Sequence, residues 1–143
     1  MSASCIFCKI VKGEIPSFKL YESAKTFAFL DIGPTSKGHA LVIPKYHGAK
    51  LHNIPDEDLV ELLPVAKKIA KALEVDTDGP DGIGYNILQN NGRIAHQMVD
   101  HLHVHVIPKR VEKEGLIVGW PTYETSTDEL KSLQEKILAK MDQ

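Results

Sequence analysis

His101, His103 and His105 alternate with Leu102, Val104 and Val106. An extended strand has a side-chain period of two, so the three imidazoles share one face and the three aliphatic side chains the other. A helix would scatter the same residues around its circumference, and the β-branched valines also favour the strand. Neutral imidazole is a good nucleophile towards phosphorus and carries protons near neutral pH, its unperturbed pKa being about 6.5. A face of such groups suits a two-step displacement, in which one imidazole accepts a group covalently and a neighbour handles protons or charge. Without a task, stacked imidazoles would add little packing and would repel one another if charged.

Cys5 and Cys8 are spaced to share one metal ion or to act as a redox pair. Histidines for a shared site are available in His47, which follows Val42-Ile43-Pro44, and in His101 at the start of the triad. In the reducing compartment expected for this chain a structural disulfide is disfavoured.

Composition narrows the function classes. With 143 residues, 43% hydrophobic and 25% charged, the chain is expected to fold as one domain, residues 1–143, around one core. A formal net charge of −2 and the lack of Lys or Arg blocks argue against nucleic acid as a partner, so any phosphate recognition must be local. The first residues lack the basic start and apolar run of a signal peptide, and no apolar run reaches membrane-spanning length. The expectation is a cytoplasmic protein, with the nucleus also open to it, and no membrane contact. No P-loop or Rossmann glycine fingerprint is present, so a nucleotide would lie on a strand face rather than in a glycine-rich cradle.

The elements that must position these residues follow from periodicity. Lys12 to Pro16 is a turn, and Phe18–Tyr21 and Thr26–Leu30 form a hairpin. Asp31 ends the second strand before Gly33-Pro34, where a carboxylate can cap the turn. Gly38 to Pro44 is a continuously apolar strand, hence buried on both faces, with His39 at its start. From Pro55 to Leu73 apolar residues recur every three or four positions, predicting one amphipathic helix in which Pro64 should introduce a kink or leave one backbone carbonyl unpaired. Asp76 to Gly82 is an exposed loop. Gly84–Gln89 is a strand closed by the turn Asn90-Asn91-Gly92. The only tryptophan, Trp120, lies in an apolar loop and would pack at a subunit interface, close the pocket or cover the core. Leu130, Leu133, Ile137, Leu138 and Met141 define a C-terminal helix started by Ser126, Thr127 and Asp128. Together these predict an α+β fold, an antiparallel sheet of about five strands with a long helix packed on it and a C-terminal helix.

In this order and at these separations, Asp31-Ile32-Gly33-Pro34, Gly38 to Lys45, Asn86, Gln97-Met98-Val99 and the triad resemble the histidine triad (HIT) family, and most closely its fungal Hint branch of nucleoside phosphoramidases. The resemblance covers most of the chain. It implies hydrolysis of a purine nucleoside 5′-phosphoramidate, such as that of adenosine, to AMP and an amine. His103 would attack the α-phosphorus and form a nucleotidyl-histidine, His105 would bind the phosphate oxygens, His101 would hold the site together, and His39 would support the triad. Asp31 would accept hydrogen bonds from the ribose hydroxyls, a task its two oxygens suit. Ile32, with Ile6, Phe7, Ile10 and Phe27, would flank the base. Asn86 would hold the leaving group or scissile phosphate, and Gln97 and Met98 would contact phosphate through side chain and backbone. Met98 stands where animal relatives often carry a small hydroxyl residue. The resemblance further implies a structural zinc held by Cys5, Cys8, His47 and His101, with His96 the rival fourth ligand, no catalytic metal or organic cofactor, and a homodimer with one continuous sheet. The alternatives are a dinucleoside polyphosphate hydrolase and a nucleotide-binding adaptor. The uridylyltransferase relatives replace the last triad histidine, which His105 does not match.

Overall fold

A computed structural model describes residues 2–141. Its elements run α1 (Ile6–Val11), β1 (Lys19–Glu22), β2 (Thr26–Leu30), β3 (Ala40–Pro44), α2 (Asp56–Leu59), α3 (Leu62–Ala72), β4 (Gly84–Gln89), β5 (Val104–Lys109) and α4 (Thr127–Met141), with 3-10 turns at Leu51–Asn53 and Arg93–Ala95. The strands make one five-stranded antiparallel sheet in the order β1-β2-β3-β5-β4. The fold is α+β, as the periodicity predicts.

Strand β3 is buried at every position because both sheet faces are covered. Against one face pack Leu62, Val65, Ala66, Ile69 and Ala70 of α3, meeting Val42, Leu102, Val104 and Val106. Removing each of the larger aliphatic side chains from water contributes about 2 kcal/mol. Against the other face, Phe7 and Ile10 of α1 meet Phe27, Phe29, Leu41 and Ile43. The histidines lie on this second side, because the alternation commits Leu102, Val104 and Val106 to the first.

Three elements differ from expectation. Regular pairing in β5 begins only at Val104, so His101 and His103 occupy the approach to the strand, where the Leu102 amide donates to the Gly48 carbonyl at 2.8 Å. The alternation survives, since Leu102 remains fully buried. The helix predicted over Pro55–Leu73 is two helices, α2 and α3. Pro64 is the third residue of α3, in the first turn, where the missing amide hydrogen has no helical acceptor to lose. The proline therefore helps to start a helix rather than kink one. Trp120 is 76% exposed, so it covers no core, and no residue of α4 is buried.

Candidate active site

Each triad histidine has its tautomer fixed by a neighbour. His101 is fully buried and its Nε2 lies 2.8 Å from the carbonyl oxygen of Pro44. Only a protonated Nε2 satisfies that contact, which leaves an Nδ1 lone pair facing Cys5 Sγ at 3.4 Å, Cys8 Sγ at 3.6 Å and His47 Nδ1 at 3.3 Å. Cys8 Sγ is 3.3 Å from His47 Nδ1. Burial, ahead of the neighbouring His47 and His103, lowers the His101 pKa to about 4, which keeps the ring neutral.

His103 Nδ1 is 2.7 Å from the carbonyl oxygen of His101, so it carries the proton and donates. The Nε2 lone pair is thereby free. The ring is buried, packed edge-on by Phe7 with centroids 5.2 Å apart, and burial lowers its pKa.

His39 and His105 form a directed chain. The Thr35 amide donates to His39 Nδ1 at 3.2 Å, so the proton of His39 sits on Nε2 and is donated to His105 Nδ1 at 2.9 Å. His105 must then carry its own proton on Nε2. Its pKa falls to about 4, through burial first and then the adjacent His103 and His39. The antiparallel register places Leu41 opposite His105, which puts this Nε2–H on the same sheet face as His103.

These groups line a cleft of about 560 Å³, within the range that holds a small organic ligand. Its walls are mostly apolar and include Ile6, Phe7, Ile10 and Phe29, with Ile32 and Met98 exposed at the rim. Asp31 is also in the wall. One of its oxygens accepts from the Gly33 amide at 2.8 Å and the other lies 3.6 Å from His39 Nε2. Turn cap and ligand acceptor are therefore compatible readings of one carboxylate.

Three sequence expectations need correction. Asn86 pairs with Ile107 and lines a neighbouring depression with Lys109 and Arg110, not the cleft. The residue that reaches the cleft is Asn90, two steps beyond Leu88, which pairs with His105. Asn90 shares the strand parity of Asn86 and Leu88, but the Asn90-Asn91-Gly92 turn signal concealed it. Gln97 is 1% exposed and spends its amide on backbone, accepting from the Gly92 amide at 2.7 Å and donating to the carbonyls of Ala49 and Val99. Its side chain has nothing left for phosphate. Phe27 belongs to the core behind Phe29 and does not line the cleft.

The four-residue cluster assembles without His96. Ligand atoms of Cys5, Cys8, His47 and His101 lie within 4.8 Å of one another, whereas His96 faces the cleft. Cys5 caps α1, its thiol accepting from the Cys8 amide, which brings the two sulfurs to one side. Burial raises the Cys5 pKa, so a bound cation is what would favour its thiolate. Two thiols and two imidazoles, one oriented by the Pro44 carbonyl, form a donor set that fits zinc. Asp31, His39 and His105 also lie close together. There the Thr35 amide forces the His39 proton onto Nε2, so that group reads as a hydrogen-bond chain and not as a ligand set.

A family profile described as the HIT domain matches residues 12–112. The chain belongs to the HIT family. It is 61% identical over 142 residues, 99% of this chain and 85% of the relative, to adenosine 5′-monophosphoramidase HNT1 of Saccharomyces cerevisiae. It is 62% identical to the Candida albicans protein of the same name over 144 residues, 98% of this chain and 95% of that one. A crystal structure of a histidine triad nucleotide-binding protein from Candida albicans superposes with a TM-score of 0.94 at 61% identity, covering 97% of this chain and 98% of that one. No helix among the described residues is long and apolar enough to cross a membrane.

Proposed function

We propose that this HIT protein hydrolyses adenosine 5′-phosphoramidates to AMP and an amine. One observation carries the reading. His103 offers an unprotonated Nε2 and His105 a protonated one on the same cleft wall, each locked by a backbone contact or a second histidine. In the first step His103 Nε2 bonds to the α-phosphorus while the P–N bond breaks and the amine leaves with an added proton. In the second, water adds to phosphorus, the bond to Nε2 breaks and AMP departs. The His105 Nε2–H donates to a phosphoryl oxygen throughout and stabilises charge that develops there. Asp31 accepts from the ribose hydroxyls, Ile6, Phe7, Ile10 and Ile32 hold the base, and the backbone at Met98 faces the phosphate. The names of the fungal relatives support the same activity.

The test is AMP release from adenosine 5′-phosphoramidate by wild type and His103→Ala, with acid-quenched intact mass. An adduct of one nucleotidyl group in the wild type alone is expected. An inert wild type that still binds AMP would overturn the reading in favour of a polyphosphate substrate or an adaptor role.

Cys5, Cys8, His47 and His101 would hold a structural zinc ion, joining the N-terminal arm to the approach of β5. The ion would supply folding energy and no chemistry to the substrate. The second proposal on assembly is a homodimer with a continuous sheet. Its support is the outer edge of β4, unpaired among the described residues, where Tyr85 and Ile87 are exposed, together with the exposed apolar residues Trp120, Leu133 and Ile137 beyond the sheet. Bare edge strands of this kind are normally covered. A monomer mass by sedimentation at micromolar concentration would remove it. A cytoplasmic and nuclear location completes the proposal, to be checked by imaging a tagged chain.

A further inference from the structure

His96 has no part in the thiol cluster and no task in the mechanism above, yet it stands at the rim of the cleft beside Asn90 and Met98. It closes the 3-10 turn Arg93–Ala95 with φ 69° and ψ 31°, in the left-handed region. Among the described residues the one other non-glycine with positive φ is Glu74, which terminates α3. The turn at His96 needs only a backbone, and glycine would suit it better. That backbone is held on both sides. Its amide donates to the Arg93 carbonyl at 3.0 Å, and its carbonyl accepts from Asn90 Nδ2 at 3.2 Å. An imidazole is therefore presented at a fixed place where the local fold does not ask for one.

The reaction has an unmet requirement at that place. In-line displacement puts the leaving group on the side of phosphorus away from His103, towards the opening. An amine must gain a proton as it leaves. Four ring nitrogens of His39, His103 and His105 are held by the Thr35 amide, the His101 carbonyl and the His39–His105 contact, and the reaction takes the remaining two, His103 Nε2 for phosphorus and His105 Nε2–H for a phosphoryl oxygen. A neutral imidazole that gave up its N–H would become an imidazolate, a far worse outcome than release from an imidazolium. His96 is exposed on the open side of the cleft and lies near enough to His105 to act on it electrostatically.

We propose that His96 is a catalytic residue of this cleft, the general acid for the departing amine and then the general base for the hydrolytic water. The inference rests on the phosphoramidase reading. As the His103–phosphorus bond forms and the P–N bond breaks, a proton passes from the His96 imidazolium to the amine nitrogen. As water adds and the bond to His103 breaks, one water proton returns to His96, which ends the cycle as it began.

The test separates acid catalysis from positioning by the leaving group. His96→Gly fits the left-handed backbone, and His96→Gln keeps a hydrogen-bonding side chain that does not titrate. Both are assayed on adenosine 5′-phosphoramidate and on the 4-nitrophenyl ester of AMP, whose phenolate leaves without a proton. Expected is a loss in kcat of about 10²-fold on the phosphoramidate, the lower end of general acid effects, with the burst of nitrophenolate from the ester changed by no more than about threefold. The melting temperature of His96→Gly should equal or exceed that of the wild type. Equal losses on the two substrates, or none on the phosphoramidate, would overturn the role of His96 alone. A wild type inert on the phosphoramidate would overturn the underlying reading as well.

Discussion

Replacing Gln97 with Leu distinguishes a structural glutamine from a phosphate ligand. The substitution keeps most of the volume of a side chain that is 1% exposed and removes three hydrogen bonds, to the Gly92 amide and to the carbonyls of Ala49 and Val99. At a net 0.5–1.5 kcal/mol each, with the three backbone groups half-buried and partly open to water, the expected loss is about 3 kcal/mol. For a chain of this length that corresponds to a melting temperature lower by about 10 °C. Urea unfolding should show a lower midpoint at an unchanged slope, since no more surface is exposed. The bonds tie the loop carrying His96 and Met98 to the segment that carries His47, so AMP release by the folded variant should fall by no more than about tenfold, the equivalent of roughly 1.4 kcal/mol of lost positioning. A stability loss below about 1 kcal/mol together with an activity loss above about 10³-fold would refute this reasoning and return the side chain to the phosphate.

Wild-type protein purified without chelator is expected to carry about one equivalent of zinc and Cys8→Ser much less, read by elemental analysis; a wild type with under about a tenth of an equivalent would end the zinc proposal. His105 is neutral in the folded cleft and titrates there at about 4 instead of 6.5, so the unfolded chain binds the proton first. Its contribution to stability is full above about pH 6.5 and declines between pH 6.5 and 4. Urea midpoints measured at pH 7 and 5 should differ less in His105→Asn than in the wild type, and an identical difference would refute the effect. Phe7 packs edge-on to His103, and burial is the main cause of that ring's lowered pKa. Phe7→Leu should admit water, raise the His103 pKa towards its ordinary value and move the acid limb of kcat/KM to higher pH. An unmoved limb would assign the desolvation elsewhere.

Much of the architecture was legible because period-two and period-3.6 patterns report which face is buried. Leu102, Val104 and Val106 declare their side in the sequence, and the uniformly apolar β3 declares two covered faces. What stayed hidden depends on where the chain is in space and on which partners are already taken. A glutamine beside a histidine cluster looks available for phosphate until its amide is seen to be consumed by three backbone groups. Asn86 and Asn90 share strand parity, and only the register that pairs Leu88 with His105 decides which reaches the cleft. Pro64 reads as a kink from its place in an apolar period, but the period continues through a break at Val60 and Glu61 that composition does not mark.

The same register argument explains how one short segment serves two sites. His101 turns its Nδ1 to the thiols of Cys5 and Cys8 while its carbonyl fixes the proton of His103. A single peptide unit thus joins the thiol cluster to the nucleophile, and Phe7, between the two cysteines in sequence, touches both rings at 5.9 and 5.2 Å. Disordering the arm that carries Cys5, Phe7 and Cys8 would loosen the His101 backbone, and with it the hydrogen bond that selects the His103 tautomer. Damage at the thiol cluster should therefore lower kcat and nucleotide affinity together, because the same arm carries Ile6, Phe7 and Ile10, which wall the cleft.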